Sequence, residues 1–496
     1  GSRYYHCFAD QKNSADYAYA FGVNEFVLCA SAYQPWIDKY PGSTAGGKHY
    51  CLNRNNTYWE YSRPFWDYQA RCSALMRKGV PVVDICVYLG QNPPVKLVTY
   101  RLPEIPEGYD FDVCTAEALV GRTMAVDGRL TLPTGISYSL LVIQRNNDMP
   151  LHVLRHIAGL VKGGVIVCGP RPDGSDSLKD KAESEEYRAL VDELWGELTT
   201  VSQIRKVGKG KIYENIPLSE VLKYENIRPD IAIKSGNTAK DKVYFVHRRL
   251  SDADVYFLNN HSDRAFHDTV RLRTDARQAE YWDAVTGQRY MIPVKASGEK
   301  GMLLNLTLAP RESGFIVTSN NQATGLLPII ADVQETITPI EGSWNVYFDP
   351  RWGGPGKVVF DELIDWTVHA DTGIRYYSGT AVYHKELNLA IPAQNERLLL
   401  RFPRLGSLAR VWVNGKEVVT VWCSPWEADI TSYVHEGKNN LKIEVVNSLM
   451  NRMIGDASLP ESERFTYAYP QIATPTDKLV PSGIMEQLNL VYRQCQ

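Results

Sequence analysis

One loop collects Gln34, Trp36, His49, Asn53, Arg54 and Asn55. These are the residue types that hold a sugar: one flat apolar face, with side chains that donate to or accept from hydroxyls. Solvation of an ordinary loop accounts for the same set, and both readings stand. Glu60 follows the loop, where a carboxylate could touch a substrate. Thr57 and Glu60 also spell a T-x-x-E capping box, which explains Glu60 without chemistry, and the two roles are compatible. Three later stretches, 347–354 (YFDPRWGG), 373–381 (GIRYYSGTA) and 447–456 (NSLMNRMIGD), gather aromatics, Asn, Arg and Asp outside regular alternation. Strand patterning does not call for such residues; irregular structural loops are the alternative.

Other chemistries find less support. Cys86, Cys114 and Cys168 sit in no G-x-C-x-G elbow, and His152 and His156 lie on a helix without an obvious partner, so a core role suits the thiols. There is no P-loop and no GxGxxG, which leaves nucleotide binding unsupported. Residues 172–176 (PDGSD) read as a turn rather than a calcium loop, and the sequons at 55–57 and 305–307 carry meaning only in a eukaryotic secretory setting.

The elements that must position these residues follow in blocks. Residues 12–21 predict a helix stopped by Gly22, residues 25–33 (EFVLCASAY) a buried strand, and 34–55 a long Gly-rich loop. Residues 57–79 predict the best helix in the chain, with Phe65, Gln69, Cys72, Leu75 and Met76 along one stripe. This unit over 1–80 reads as the last strand and helix of a (β/α)₈ barrel, most of which would lie outside the sequence. From 81 to 242 strands at 81–89, 138–144 and 165–168 alternate with helices at 150–162 and 187–195, the grammar of a parallel sheet. Residues 243–320 carry short alternating strands at 254–260, 267–273, 279–282, 302–308 and 313–318, a small antiparallel β domain. After a linker near 319–340, the block 321–496 predicts a β-sandwich. Its strands lie at 398–402 and 441–447, and its clearest hairpin, 409–422, turns on Asn414-Gly415.

Composition fits a multidomain globular chain of 496 residues. Lys plus Arg number 54 and Asp plus Glu 57, a net charge of −3, which argues against nucleic-acid binding by field alone. No apolar run reaches the roughly 18 residues of a membrane span. Tyr at 29 outnumbers Phe at 13, an excess that suits sugar rings as well as β-rich cores. The nine Cys are widely spaced, odd in number and lack a CxxC pair, so neither a disulfide framework nor a zinc site is indicated. The opening Gly1-Ser2 reads as a scar or a cut, and targeting is not legible from it.

Ten separated stretches resemble, in order, the C-terminal portion of the α-L-rhamnosidases of glycoside hydrolase family one hundred and six. They are 24–36 (NEFVLCASAYQPW), 53–60 (NRNNTYWE), 108–113 (GYDFDV), 247–257 (HRRLSDADVYF), 281–287 (YWDAVTG), 348–354 (FDPRWGG), 373–380 (GIRYYSGT), 411–415 (VWVNG), 451–456 (NRMIGD) and 481–483 (PSG). The resemblance implies a (β/α)₈ barrel, an amidotransferase-like α/β domain without that fold's Cys-His machinery, a small β domain and a sugar-binding-like jelly roll. It implies inverting hydrolysis of α-L-rhamnosides in plant or algal polysaccharides, calcium near the site, and a bacterial enzyme in the periplasm or outside the cell. An inverting enzyme needs an acid and a base about 6.5–9.5 Å apart, and both are expected upstream of Gly1, so no catalytic residue is carried over. What the resemblance does carry over is a rim. Gln34, Trp36, Asn55, Trp59 and Glu60 match the barrel-end pattern, and Tyr376, Tyr377, Asn451, Arg452 and Asp456 match the last-domain loops. The implied partners are a rhamnose-containing glycan and a separate N-terminal barrel portion. A non-catalytic carbohydrate-binding scaffold and a β-galactosidase-like barrel glycosidase remain the alternative readings.

Overall fold

A computed structural model describes residues 4–28, 32–47, 52–90, 102–144, 149–175, 184–198, 201–236, 242–321 and 334–494. Its first sheet takes the strands Ile85–Tyr88, Phe111–Cys114, Leu140–Ile143, Ile166–Cys168 and Gly210–Glu214, all parallel to their neighbours, with Gln203–Val207 as an antiparallel edge. The strands Ile85–Tyr88 and Leu140–Ile143 are buried at every position, as continuous apolar runs in a helix-covered sheet should be. Helix Leu151–Lys162 buries Leu151, Val153, Leu154, Ile157, Leu160 and Val161 at helical spacing, and helix Ser184–Trp195 packs beside it.

Two all-β bodies follow. In the first, a four-stranded sheet (Ile231–Ile233, Phe266–Leu272, Met302–Leu308, Val294–Ala296) faces a six-stranded one that runs from Arg289–Ile292 through Gln278–Trp282, Ser313–Ser319, Ala253–Asn260 and Val243–Arg249 to Val80–Pro81. Tyr256, Leu258, Val270, Leu304 and Ile316 fill the space between. In the second, the sheet Glu335–Pro339, Asn489–Gln494, Glu396–Arg401, Glu427–Asp429 packs on the sheet Gly356–Phe360, Trp344–Phe348, Thr380–Leu389, Gly437–Val446, Leu408–Val413, Lys416–Val421. Asn414 and Gly415 both take positive φ, 51° and 79°, which is the twist a two-residue hairpin needs. The segment read as a linker near 319–340 thus contributes a strand, Glu335–Pro339, to the second body.

The N-terminal helices are wedged between these bodies. Phe8, Tyr19, Phe65, Tyr68, Cys72 and Met76 meet Val246, Phe257 and Phe315 on one side and Leu408, Trp422 and Val446 on the other. Helix Phe8–Tyr19 is tied down by a buried ion pair: Lys12 donates to Asp16 at 2.7 Å and to Ser313 at 2.8 Å, and Tyr68 donates to the same carboxylate.

Three local expectations change. Residues 25–28 and 32–33 form no strand, and 29–31 lie outside the described residues. A parallel strand needs neighbours on both sides for its backbone groups, and no strand among the described residues pairs with this segment, which leaves Val27 95% and Tyr33 83% exposed. The long helix begins at Arg63 and ends at Met76, preceded by a 3-10 turn, Trp59–Tyr61. Pro64 sets that start, because it has no N–H to donate and a preset φ, which suits a first turn. The capping box is not made: Thr57 gives its hydroxyl to the carbonyl of Asn447 at 2.5 Å.

Candidate functional site

The loop rim is held by side chains that imitate backbone. Gln34, 8% exposed, donates through Nε2 to the carbonyl of Ser43 and accepts its N–H, both at 2.8 Å. Asn55 donates through Nδ2 to the carbonyls of Lys39 (3.1 Å) and Pro41 (3.4 Å) and to Gln34 Oε1 (3.4 Å). Gln34 and Asn55 therefore shape the loop 34–43 rather than present themselves on it. Within this loop two buried polar atoms, Asn55 Oδ1 and Asn53 Nδ2, have no partner among the described residues. Trp36 is half-buried, edge-on to Tyr467 at 5.0 Å, and Arg54 donates to the carbonyls of Gln34 and Trp36, each at 3.3 Å. Lys39 Nζ lies 4.1 Å from the Tyr467 ring centre and 5.6 Å from that of Trp36. Trp59 is half-buried in its 3-10 turn, and the exposed Glu60 accepts from Arg410 through its main-chain oxygen at 3.2 Å. His49 lies outside the described residues.

The last-domain residues divide in two. Tyr377 is fully buried against Phe348 and Trp366; its hydroxyl donates to the carbonyl of Thr380 (2.9 Å) and accepts the N–H of Asp349 (3.1 Å). Burial drives its phenol pKa upward. Asn451 donates to the carbonyl of Val480 and accepts the N–H of Val480, at 2.8 and 2.7 Å. Arg452 and Asp456, an i,i+4 pair at 2.9 Å, are 5% and 1% exposed, and the second oxygen of Asp456 accepts from the N–H and hydroxyl of Thr466. These four carry the loops and offer a ligand almost no surface. Tyr376 is half-buried, with the guanidinium of Arg452 held between it and the exposed Phe465. Gly455 lets this ring in, since a Cβ there would meet Tyr376 Cγ at 2.7 Å.

The two sets meet. Pro41–Ser43 pairs in parallel with Tyr467–Tyr469, and Thr44 donates its hydroxyl to the carbonyl of Pro470 at 2.7 Å. Tyr40 packs edge-on to Trp352 at 5.5 Å. Trp36, Tyr40, Trp352, Tyr376, Phe465 and Tyr467 thus line one aromatic seam between the N-terminal loop and the last body. The sequence reading passed over Lys39 and the segment 465–469 (FTYAY), whose alternating aromatics in a stretch rich in turn residues were the available signal.

A second cluster is charged and enclosed. Arg273 donates to Asp84 (2.7 and 3.1 Å) and Asp230 (3.3 Å), joining the α/β sheet to the first β body. His247, fully buried, is bonded through Nδ1 to Asp230 (2.9 Å) and through Nε2 to Asp254 (3.0 Å). Burial opposes its charge, but bonding to two carboxylates outweighs that and raises its pKa. Burial also opposes ionisation of Asp254, yet hydrogen bonds from His247, Arg249 and Thr274 bring it down to about 2. Asp110 is pushed up to about 7, first by burial and then by Asp112, Asp230 and Asp84.

Cys86 and Cys168 are buried thiols. A hydrogen bond with Cys114, then burial, raises Cys86, and burial pushes Cys168 up to about 12, so both stay protonated. His156 bonds Thr123 at 3.0 Å, away from them. Among the described residues no group of three or more His, Cys, Asp or Glu could hold a metal ion. No helix among the described residues is long and apolar enough to cross a membrane.

Residues 1–295 match the family model for alpha-L-rhamnosidase, and 331–492 match the sugar binding domain of glycosyl hydrolases family 2. The solved structure of a rhamnosidase from Novosphingobium sp. PP1Y superposes with a TM-score of 0.89 at 28% identity, covering 99% of this chain and 46% of that one. A protein of Formosa agariphila named "Putative beta-glucuronidase" is 23% identical over 91% of this chain and 57% of its own length. The chain spans about half the length of these relatives.

Proposed function

Since the chain belongs to the alpha-L-rhamnosidase family of glycoside hydrolases, we propose that it forms the C-terminal part of an inverting enzyme that removes α-L-rhamnose from plant or algal polysaccharide. The observation that carries this reading is the family match over residues 1–295, a stretch that includes the rim loop. The loop 34–43 is braced by Gln34 and Asn55, which leaves Trp36 to offer its ring to a sugar. The apolar segment 25–33, with Val27 and Tyr33 exposed, suits a barrel strand whose neighbours come from the rest of the enzyme. Acid and base are assigned to that remainder, and this chain supplies binding and orientation. The 1–80 unit, the amidotransferase-like domain and the jelly roll then act as a frame that holds the seam. A polymeric substrate places the work outside the cytoplasm.

The test is release of sugar from aryl glycosides by protein that contains the barrel and by this chain alone. Rhamnose released only when the barrel is present, with the β-anomer appearing first, is the expected result. Release of galactose or glucuronic acid in place of rhamnose overturns the substrate assignment, and first appearance of the α-anomer overturns inversion. No hydrolysis by either preparation, with rhamnose still bound, makes the protein a carbohydrate-binding scaffold.

A further inference from the structure

The aromatic seam is fixed from beneath, through one carboxylate. Helix Met450–Asp456 is anchored in the last body: Asn451 exchanges two hydrogen bonds with Val480, and the N–H of Arg452 donates to the hydroxyl of Ser378 at 3.0 Å. At the end of this helix Asp456 is 1% exposed, and both of its oxygens are engaged. One accepts from Arg452 Nε at 2.9 Å, the other from the N–H (2.7 Å) and the hydroxyl (2.6 Å) of Thr466. Hydrogen bonds to a carboxylate are about twice as strong as neutral ones, so Thr466 is a firm point on its segment.

That segment has little else to hold it on this side. Residues 461–465 and 469–471 are exposed, and Thr466, Tyr467 and Ala468 between them are half-buried. Tyr467, next to the fixed residue, carries the contacts that reach the rim loop. Its N–H donates to the carbonyl of Tyr40 at 2.8 Å, it pairs with Pro41, and its ring meets Trp36 edge-on at 5.0 Å. The carbonyl of Tyr469 accepts the N–H of Thr44 at 2.9 Å and closes the same two-stranded sheet. Trp36 itself stands among exposed residues, Pro35, Ile37 and Asp38, so its ring depends on Tyr467 for its place.

We propose that Asp456 and Thr466 are positioning residues that set the ring of Trp36 through Tyr467, although Asp456 offers no surface to a ligand. That the ring then meets a sugar rests on the function proposed above. Because the hydroxyl of Thr466 acts only through the ring, the two should behave as one unit in binding, and their effects should not add.

Two readouts test this. In the chain itself, Thr466→Val keeps the shape and loses the hydroxyl, and hydrogen exchange at the amides of Thr44 and Tyr467 should quicken at least about tenfold. Thr466→Ser should return it to the parent rate, and exchange in the strand Gly437–Val446 should stay unchanged in both. In the barrel-containing enzyme, Thr466→Val should raise KM for an aryl α-L-rhamnoside about threefold with kcat within about twofold, and Thr466→Val combined with Trp36→Ala should have the KM of Trp36→Ala alone. Asp456→Asn should quicken exchange at the same two amides, and if it fails to fold, Thr466→Val and Thr466→Ser decide. Unchanged exchange at Thr44 and Tyr467, quickening that spreads to Gly437–Val446, no rescue by Thr466→Ser, or KM effects that multiply in the double variant overturn the proposal. Quickened exchange confined to those amides, with a KM that Trp36→Ala leaves at the parent value, upholds the positioning and fails the sugar reading instead.

Discussion

The charged junction around Arg273 and the aromatic seam around Trp36 both join parts of the molecule that are far apart in sequence, but they do so by opposite means. At the junction, charges are enclosed and each has a partner. Asp84, Asp230 and Asp254 are neutralised by Arg273, His247 and Arg249. At the seam, the charged pair Arg452–Asp456 is hidden beneath, and the surface is built of rings that keep part of their area free. A buried charge that is fully paired has no capacity left for a ligand. A ring that is held at one edge and open on its face does. The junction is architecture, and on the proposed function the seam is the surface a sugar would meet.

The sharpest way to break that contrast is Arg273→Ala. It strands Asp84 without its cation and leaves Asp230 to His247 alone, and loss of one partner in a buried pair costs about 3–5 kcal/mol. Denaturant unfolding should show a loss of that size in the transition that reports the α/β sheet and the first β body. A change under about 1 kcal/mol would mean that the junction is not held by its charges.

The next effect is a pH dependence. Asp110, pushed up to about 7 in the fold, has an ordinary carboxyl pKa when unfolded, so the folded junction keeps a proton that the unfolded chain releases. Stability contributed there falls as pH rises from about 4 through 7. His247, also raised, adds stability that is full below its unfolded pKa and is lost as pH climbs through its folded one. Asp254, lowered to about 2, works the other way, and its contribution is lost as pH falls from about 4 toward 2. The junction should be firmest near pH 4 and weaken continuously as pH rises toward 8. Asp110→Asn should flatten most of that descent in thermal melts taken across the range; an unchanged slope would remove Asp110 from the account.

The smallest effect concerns Glu60. If it capped a helix, Glu60→Ala would cost about 1 kcal/mol. Its carboxylate is exposed and the helix starts at Arg63, so the change should lie within about 0.5 kcal/mol in the same unfolding assay.

Helix Leu151–Lys162 and the Asn414-Gly415 hairpin were legible because period and turn chemistry are local. The strand expected at 25–33 was not, since an apolar run becomes a strand only when other strands take its hydrogen bonds. The cap at Thr57 failed for the same kind of reason: Asn447, 390 residues away, takes its hydroxyl. The edge hairpin Gln203–Val207 and Gly210–Glu214 escaped notice because Arg205, Lys206 and Lys211 interrupt its apolar pattern. Of the rim residues, sequence carried the types but not the tasks. Gln34, Asn55, Asn451 and Asp456 brace loops, Tyr377 sits in the core, and Trp36 and Tyr376 keep open rings.

The account turns on Trp36, and its most direct test is the Michaelis constant for an aryl α-L-rhamnoside in the barrel-containing enzyme with Trp36→Ala. The ring is half-exposed and fixed by Tyr467, so its loss should raise KM about tenfold, near 1.4 kcal/mol, while the melting temperature stays close to that of the parent. Michaelis parameters equal to the parent's would contradict it.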